Sequence, residues 1–320
     1  MDQLLLRRIE LEKYCLCCGK KLTSDASLWH LDCIKSFFGT STFPDVSLLE
    51  KEIEELAVKE LEKGNAITGV QKKLSFGLSK NKGTRRLTLT NLDPKYIIKT
   101  EDKAIPYITE MEHLIMLLAE RIGLHTVKHG LIKSKNNGYL YISKRIDRKN
   151  DQKLAMEDFC QLSNKLTEYK YQGSYERCVK EVIDKFSSRK VIDKISFFSC
   201  IYFSYLVGNT DMHLKNFSLF DDGSGYHLTP FYDLVSSLIL VGQEEMALAI
   251  NGKRKHLTKN DFISFGVSSG LTKELSIKLM DNINKKLKEV YESEIDRSLI
   301  SEKFKEELKN LIKIRIASLI

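Results

Sequence analysis

Along this chain the spacing of apolar positions changes more than once. Residues 44–64, PDVSLLEKEIEELAVKELEKG, read as a helix with mixed charges on its exposed face, ended by Gly64. From 65 to 146 the pattern turns β-like: KLSFGL, RLTLTNL and KYIIK are short, alternating or β-branched, and separated by Gly, Asn or Pro, and GYLYISKRI follows as a further strand. One helix interrupts these strands, from about Tyr107 to Ile122, where Ile108, Met111, Ile115, Leu118 and Ile122 recur at helical spacing before Gly123. After Asp147 the chain is mainly helical, apart from a hairpin, NFSLF then YHLTPFYD, around residues 216–233. The plan is α+β, a small mixed lobe over 65–146 and a larger helical lobe over 147–320, preceded by a head over 1–40 and a linker helix over 41–64.

Composition narrows the class. With 42% hydrophobic and 29% charged residues and only 4 prolines among 320, the chain is globular rather than disordered or fibrous. The longest apolar stretch, Ile195 to Gly208, falls short of the ~20 residues of a membrane crossing and reads as a buried core helix. The N-terminus lacks the apolar region and cleavage site of a signal peptide, so a cytoplasmic protein without a membrane partner is expected. Cys160, Cys178 and Cys200 stand singly in apolar contexts and read as inert core residues. The net charge of +8 is compatible with an acidic or nucleic-acid-associated partner but has no clear basic stripe, and the run Lys253, Arg254, Lys255 reads as a solvated turn, with a tRNA-bearing or acidic partner as the alternative.

The most informative stretch is GNTDMHLKNFSLFDDGSGYHLTPFYDLVSS. Asp211 and Asn216 stand five apart just after the buried helix, and Asp233 follows at the far end of the hairpin. That spacing suits phosphoryl transfer: one Asp accepts the proton of the attacking hydroxyl, while Asn and a second Asp hold Mg²⁺ on the phosphates. Taken alone, the same residues are ordinary turn formers. Lys99, at the end of the apolar segment YIIK, and Glu112, beside an apolar helical stripe, suit a pair that joins strand to helix, with the lysine reaching the α- and β-phosphates; a snorkelling Lys and a solvated Glu are the alternative. Thr68, Gly69, Val70, Gln71, Lys72 and Lys73 form a turn whose backbone N–H groups and lysines suit a phosphate, although a single glycine also makes a plain β-turn.

In order and spacing, GVQKKLS, YIIK, YISKRIDR, MEDFCQL, GNTDMHLKNFSLF and LTPFYDL resemble the HipA-like serine/threonine kinases over roughly residues 65–320. The short segment ahead of GVQKKLS looks more like the HipT-type toxin kinases than like full-length HipA. The resemblance implies a bilobal protein-kinase-like fold and an ATP- and Mg²⁺-dependent toxin of a type II toxin–antitoxin system. Such a toxin phosphorylates an aminoacyl-tRNA synthetase, arrests growth, and is held by HipS-like and HipB-like antitoxins, with DNA engaged only through an antitoxin. On this chain it makes Asp211 the base, Asn216 and Asp233 the Mg²⁺ ligands, Lys99 the phosphate lysine and Glu112 its partner. Thr68 to Lys73 become the loop over ATP and Lys144, Arg145 and Ile146 the hinge against adenine, while His213 and Lys215 support the phosphates or the fold. Family members silence themselves by phosphorylating a hydroxyl near that turn; Ala66 stands where relatives carry Ser, which makes Thr68 the candidate for autophosphorylation. A small-molecule or lipid kinase, or a silent pseudokinase that assembles complexes, are the other readings.

In the head, Cys15, Cys18, His30 and Cys33 make C-x2-C-x11-H-x2-C, two close pairs suited to a structural Zn²⁺, with free thiols in a packed cap as the alternative. Cys17 leaves a second pairing open, because CLCC offers three thiols to the first pair.

Overall fold

The computed structural model describes residues 13–23, 27–47, 53, 73–81, 84–90, 94–134, 138–149 and 152–319. The phosphate turn over 68–72, Thr68 included, and most of the helix expected over 44–64 lie outside the described residues. The chain divides into two compact units. The first holds the described residues through His113, with Val127–Arg145 and Arg297–Ile300; the second holds Leu114–Thr126, Ile146–Asp296 and the described residues after Ser301.

In the first unit, helix α1 (Leu31–Phe38) is followed by strands β1 (Lys73–Asn81), β2 (Thr84–Leu89) and β3 (Tyr96–Lys99), then the start of helix α2 (Ile108–Ile122), which from Leu114 on belongs to the second unit. Strands β4 (His129–Lys133) and β5 (Tyr139–Lys144) complete an antiparallel sheet in the order β2-β1-β3-β5-β4. Leu74 and Phe76 are two apart and share one face, so both reach the core with Leu87, Ile98 and Tyr141. Trp29, Phe37 and Phe38 of the head pack into this same core, with Phe37 stacked on Tyr96 at 5.6 Å between ring centroids. The four strands expected from alternation are all present; β4 is an addition to them.

The second unit is built around helix α3 (Lys190–Leu206), apolar on nearly every face and therefore central. Phe197 of α3 packs against Phe217 at 4.8 Å and against Phe159 and Tyr175. Helices α4 (Lys259–Ser268), α5 (Lys273–Asp296) and α6 (Glu302–Ser318) cover α3, with Tyr202 closing on Phe262 at 5.0 Å. A small antiparallel sheet, β6 (Met156–Asp158), β7 (Ser218–Asp221) and β8 (Tyr226–Leu228), contains the expected hairpin. Cys160, Cys178 and Cys200 are buried, as their apolar settings implied. Among the described residues no helix is long and apolar enough to cross a membrane.

Candidate active site

The loop after α3 owes its shape to one glycine. Gly208 has φ +73°, and a Cβ there would lie 2.7 Å from Leu311 Cδ2 and 3.0 Å from Ser236 Oγ, so only glycine lets the chain leave the helix at this point. Thr210 is then anchored, its N–H donating to Ser237 Oγ at 2.9 Å and its hydroxyl to the Gln243 carbonyl. With Thr210 fixed, Asp211 emerges half-buried at the start of a tight turn in which the His213 N–H donates to the Asp211 carbonyl at 2.8 Å. A single 3₁₀ turn, Leu214–Asn216, follows, and Asn216 Oδ1 accepts from the His213 N–H at 3.2 Å while its own N–H donates to the His213 carbonyl. Asn216 is thereby held from both ends while its second Oδ1 lone pair remains for another partner.

Asp233 sits at the end of the segment after β8, in the left-handed region at φ +58°. A non-glycine residue in that conformation stores strain that the surroundings must impose. Two restraints flank it: the Phe231 N–H donates to the His125 carbonyl at 2.8 Å, and the Tyr232 hydroxyl meets Ser218 Oγ at 2.7 Å. His213 feels both carboxylates. Its burial lowers the imidazole pKa, against the charges of Asp211 and Asp233, which act to raise it. The structure thus brings Asp211, His213, Asn216 and Asp233 into one electrostatic neighbourhood.

Two residues that carried no assigned role complete this neighbourhood. Tyr171 donates its hydroxyl to Asp211 Oδ1 and sets its ring edge-on to His213 at 5.1 Å. Asp158 pairs with Lys215 at 2.7 Å and caps the short helix Phe159–Leu162, accepting from the Gln161 N–H. Lys215 is therefore tied to the fold through the MED segment. The basic run is also engaged internally: Lys253 with Asp261, Arg254 with the Tyr171 carbonyl, and Lys255 with Glu245.

In the first unit, β1, β3 and β5 place Lys73, Lys99 and Tyr141 in register, which sets them on one face of the sheet. Lys99 Nζ meets Glu112 Oε1 of α2 at 2.5 Å and lies 5.3 Å from the centre of the Tyr141 ring; both charged side chains are buried. At the end of β5, burial and then the nearby Lys128 and Lys95 lower the pKa of Lys144. The Arg145 N–H donates to the Lys95 carbonyl at 2.9 Å, and Ile146 is half-buried. In the head, the ligand atoms of Cys15, Cys18, His30 and Cys33 lie within 4.8 Å of one another.

Known proteins share this architecture and sequence. A putative kinase of Haemophilus influenzae is 26% identical over 264 residues, 72% of this chain and 76% of its own length. The putative kinase Y4mE of Sinorhizobium fredii is 31% identical over 61% of this chain. The HipA serine/threonine-protein kinase toxin of Shewanella oneidensis is 26% identical over 58% of it. The chain spans about half the length of these last two, 48% and 46%. Among solved structures, HipA of S. oneidensis, determined in complex with HipB and operator DNA, superposes with a TM-score of 0.66 at 22% identity, over 83% of this chain and 70% of HipA. The Helicobacter pylori proinflammatory kinase CtkA superposes with a TM-score of 0.51 at 17% identity, over 77% of this chain and 93% of CtkA. These likenesses show a kinase-like α+β fold, and, with residues 65–291 matching the model of the HipA-like C-terminal domain, the chain belongs to that family.

Proposed function

We propose that the chain is an ATP-dependent serine/threonine protein kinase that acts as the toxin of a toxin–antitoxin system, with an aminoacyl-tRNA synthetase as substrate and HipB-like and HipS-like proteins as antitoxins. The observation that carries the kinase reading is the tight loop Asp211–Asn216 beside a strained Asp233, with His213 under the charge of both carboxylates. The S. oneidensis relative, named as a serine/threonine-protein kinase toxin and determined with HipB and operator DNA, supports the toxin and antitoxin parts.

In this reading Asp211 orients the substrate hydroxyl and accepts its proton. The free lone pair of Asn216 Oδ1 and the carboxylate of Asp233 are hard oxygen donors, the set Mg²⁺ prefers. Mg²⁺, when bound, neutralises charge on the nucleotide phosphates. Lys99, fixed by Glu112, binds the α- and β-phosphates, and Lys73 adds a second positive charge on the same sheet face. Lys144 to Ile146 would meet adenine and Thr68 to Lys72 would cover the phosphates, with Thr68 the autophosphorylation site.

Transfer of radiolabel from [γ-³²P]ATP tests the reaction, and phosphopeptide mapping of synthetases in a host lysate tests the substrate. Wild type should label protein only with Mg²⁺ present, and Asp211→Asn should lower the rate about 10²–10⁴-fold. Equal labelling by the two proteins would overturn the kinase reading. Labelled protein without any labelled synthetase would overturn the substrate alone.

A further inference from the structure

We propose that Cys15, Cys18, His30 and Cys33 form a closed Zn²⁺ site that fastens the N-terminal head onto the open edge of strand β4. A tetrahedron with Zn–S of about 2.3 Å and Zn–N of about 2.0 Å has edges of about 3.5–3.8 Å. His30 Nδ1 lies 3.4 Å from Cys18 Sγ and 3.9 Å from Cys33 Sγ, and all four ligand atoms fall within 4.8 Å of one another. The site is therefore close to binding dimensions before any ion enters.

The surrounding hydrogen bonds suit a metal. His30 Nε2 lies 3.0 Å from the Lys21 carbonyl, an acceptor that only an N–H can face, so the Nδ1 lone pair points at the three sulfurs. The His30 N–H donates to Cys15 Sγ at 3.4 Å, a bond that strengthens when sulfur is a thiolate. The knuckle between Cys15 and Cys18 closes with Gly19 at φ +66°, its N–H on the Cys15 carbonyl at 2.9 Å. Three thiolates and an imidazole are a soft donor set that favours zinc over Mg²⁺ or Ca²⁺. Four protein ligands fill the tetrahedron, which makes the site structural rather than catalytic.

The residues that dock the head stand next to the ligands. Leu16, one residue after Cys15, accepts at its carbonyl from the Leu131 N–H at 2.8 Å. Trp29, one residue before His30, donates its indole N–H to the Leu131 carbonyl at 2.9 Å. Cys17 donates its thiol toward the His129 carbonyl at 3.6 Å and is not among the four clustered ligands, which favours Cys15 and Cys18 as the first pair although Cys17 also stands beside Cys33. Strand β4 is the last in the sheet, and its outer backbone groups would otherwise be an unpaired edge. The apolar side chains of the head, Leu16, Trp29, Phe37 and Phe38, are spent on the sheet's core. The two ligand pairs are thus left to be drawn together by the ion, whose binding energy becomes folding energy.

The test uses the full chain, freed of any polyhistidine tag and grown with zinc, with metal measured by inductively coupled plasma mass spectrometry. Wild type and Cys17→Ser should each carry about one zinc per chain, and Cys18→Ser and Cys33→Ser less than about a tenth of that. Should the serine variants fail to fold, wild type exchanged into cobalt(II) serves instead and should show the visible absorption of a tetrahedral thiolate site. Chelation of wild type should lower its melting temperature, and Zn²⁺ but not Mg²⁺ should restore it. Wild type without stoichiometric zinc or cobalt spectrum, or zinc loss in Cys17→Ser equal to that in Cys18→Ser, would overturn the site. An unchanged melting temperature after complete metal removal would overturn its role in holding the head.

Discussion

The Tyr171 hydroxyl donates a 2.9 Å hydrogen bond to Asp211 Oδ1. Burial, followed by the charge of Asp211, raises the phenol pKa, so Tyr171 remains a neutral donor under ordinary conditions. An O–H on the carboxylate is what a substrate serine or threonine would present to a catalytic base. Tyr171 thus occupies the acceptor that the proposed reaction needs. Its ring is also fixed, edge-on to His213, with the backbone carbonyl of Tyr171 held by Arg254.

Tyr171→Phe keeps the ring and removes the competing donor. A net hydrogen bond of about 1 kcal/mol corresponds to about a fivefold gain in kcat/KM for protein phosphorylation. Steady-state kinetics with a fixed protein acceptor would measure it. A fall in rate would mean that the phenol orients Asp211 and does not compete with substrate.

Lys99 and Glu112 make a second test, because their side chains are only 5% and 3% exposed. Removing one partner takes this ion pair from a buried charge, so Lys99→Met or Glu112→Leu should each cost about 3–5 kcal/mol in urea unfolding. The double variant should recover most of that stability, since apolar side chains of similar size replace the pair. It should recover no phosphoryl transfer if Lys99 binds phosphate. A double variant as unstable as the singles would count against this account of the pair.

Much of this was legible in the sequence, and the gaps have physical causes. Strands β1, β2, β3 and β5 announce themselves by alternation, and α2 by a stripe ending at Gly123. Strand β4, HGLIK, is buried at four of five positions, so it shows no alternation and was missed. Asp211, Asn216 and Asp233 stood out because their spacing is local to one loop and hairpin. Tyr171 gave no such signal: it lies forty residues before Asp211, in a polar segment, and only folding joins the two. Asp158 lay within a motif that the family resemblance supplied, yet its pairing with Lys215 spans fifty-seven residues and has no periodic trace.

Asp261 links stability to pH. Burial acts to raise its pKa, but hydrogen bonds from Asn251, Thr258 and Lys253 outweigh that and hold the carboxyl well below the usual carboxylate range. A folded pKa below the unfolded value of about 3.9 contributes stability that is present above about pH 5 and lost as pH falls toward the folded value. Asp261→Asn should therefore lower stability by about 1–3 kcal/mol at pH 7, the scale of hydrogen bonds to a charged group, and reduce the slope of stability against pH between about pH 5 and pH 3. Urea midpoints across that range check both; parallel curves for the two proteins would sink the assignment.

Trp29 and Gly130 define the closest approach between the head and the sheet. A Cβ on residue 130 would lie 2.4 Å from Trp29 Cζ2, 2.6 Å from Cη2 and 3.1 Å from the Leu16 carbonyl. The indole has little room to retreat, because its N–H is bound to Leu131 and its rings contact Phe37, Phe38 and Phe43 at 5.1–5.6 Å. Gly130→Ala should cost about 1–3 kcal/mol from overpacking. Trp29 is the chain's single tryptophan, so its fluorescence reports on this contact alone, and the emission of Gly130→Ala should shift to the red as the ring is displaced toward water. Adding Trp29→Phe should relieve the clash, leaving Gly130→Ala less costly in that background than in wild type, as a double-mutant cycle by thermal unfolding would show. Equal costs in the two backgrounds, with emission unmoved, would mean that the head does not seat its indole over Gly130.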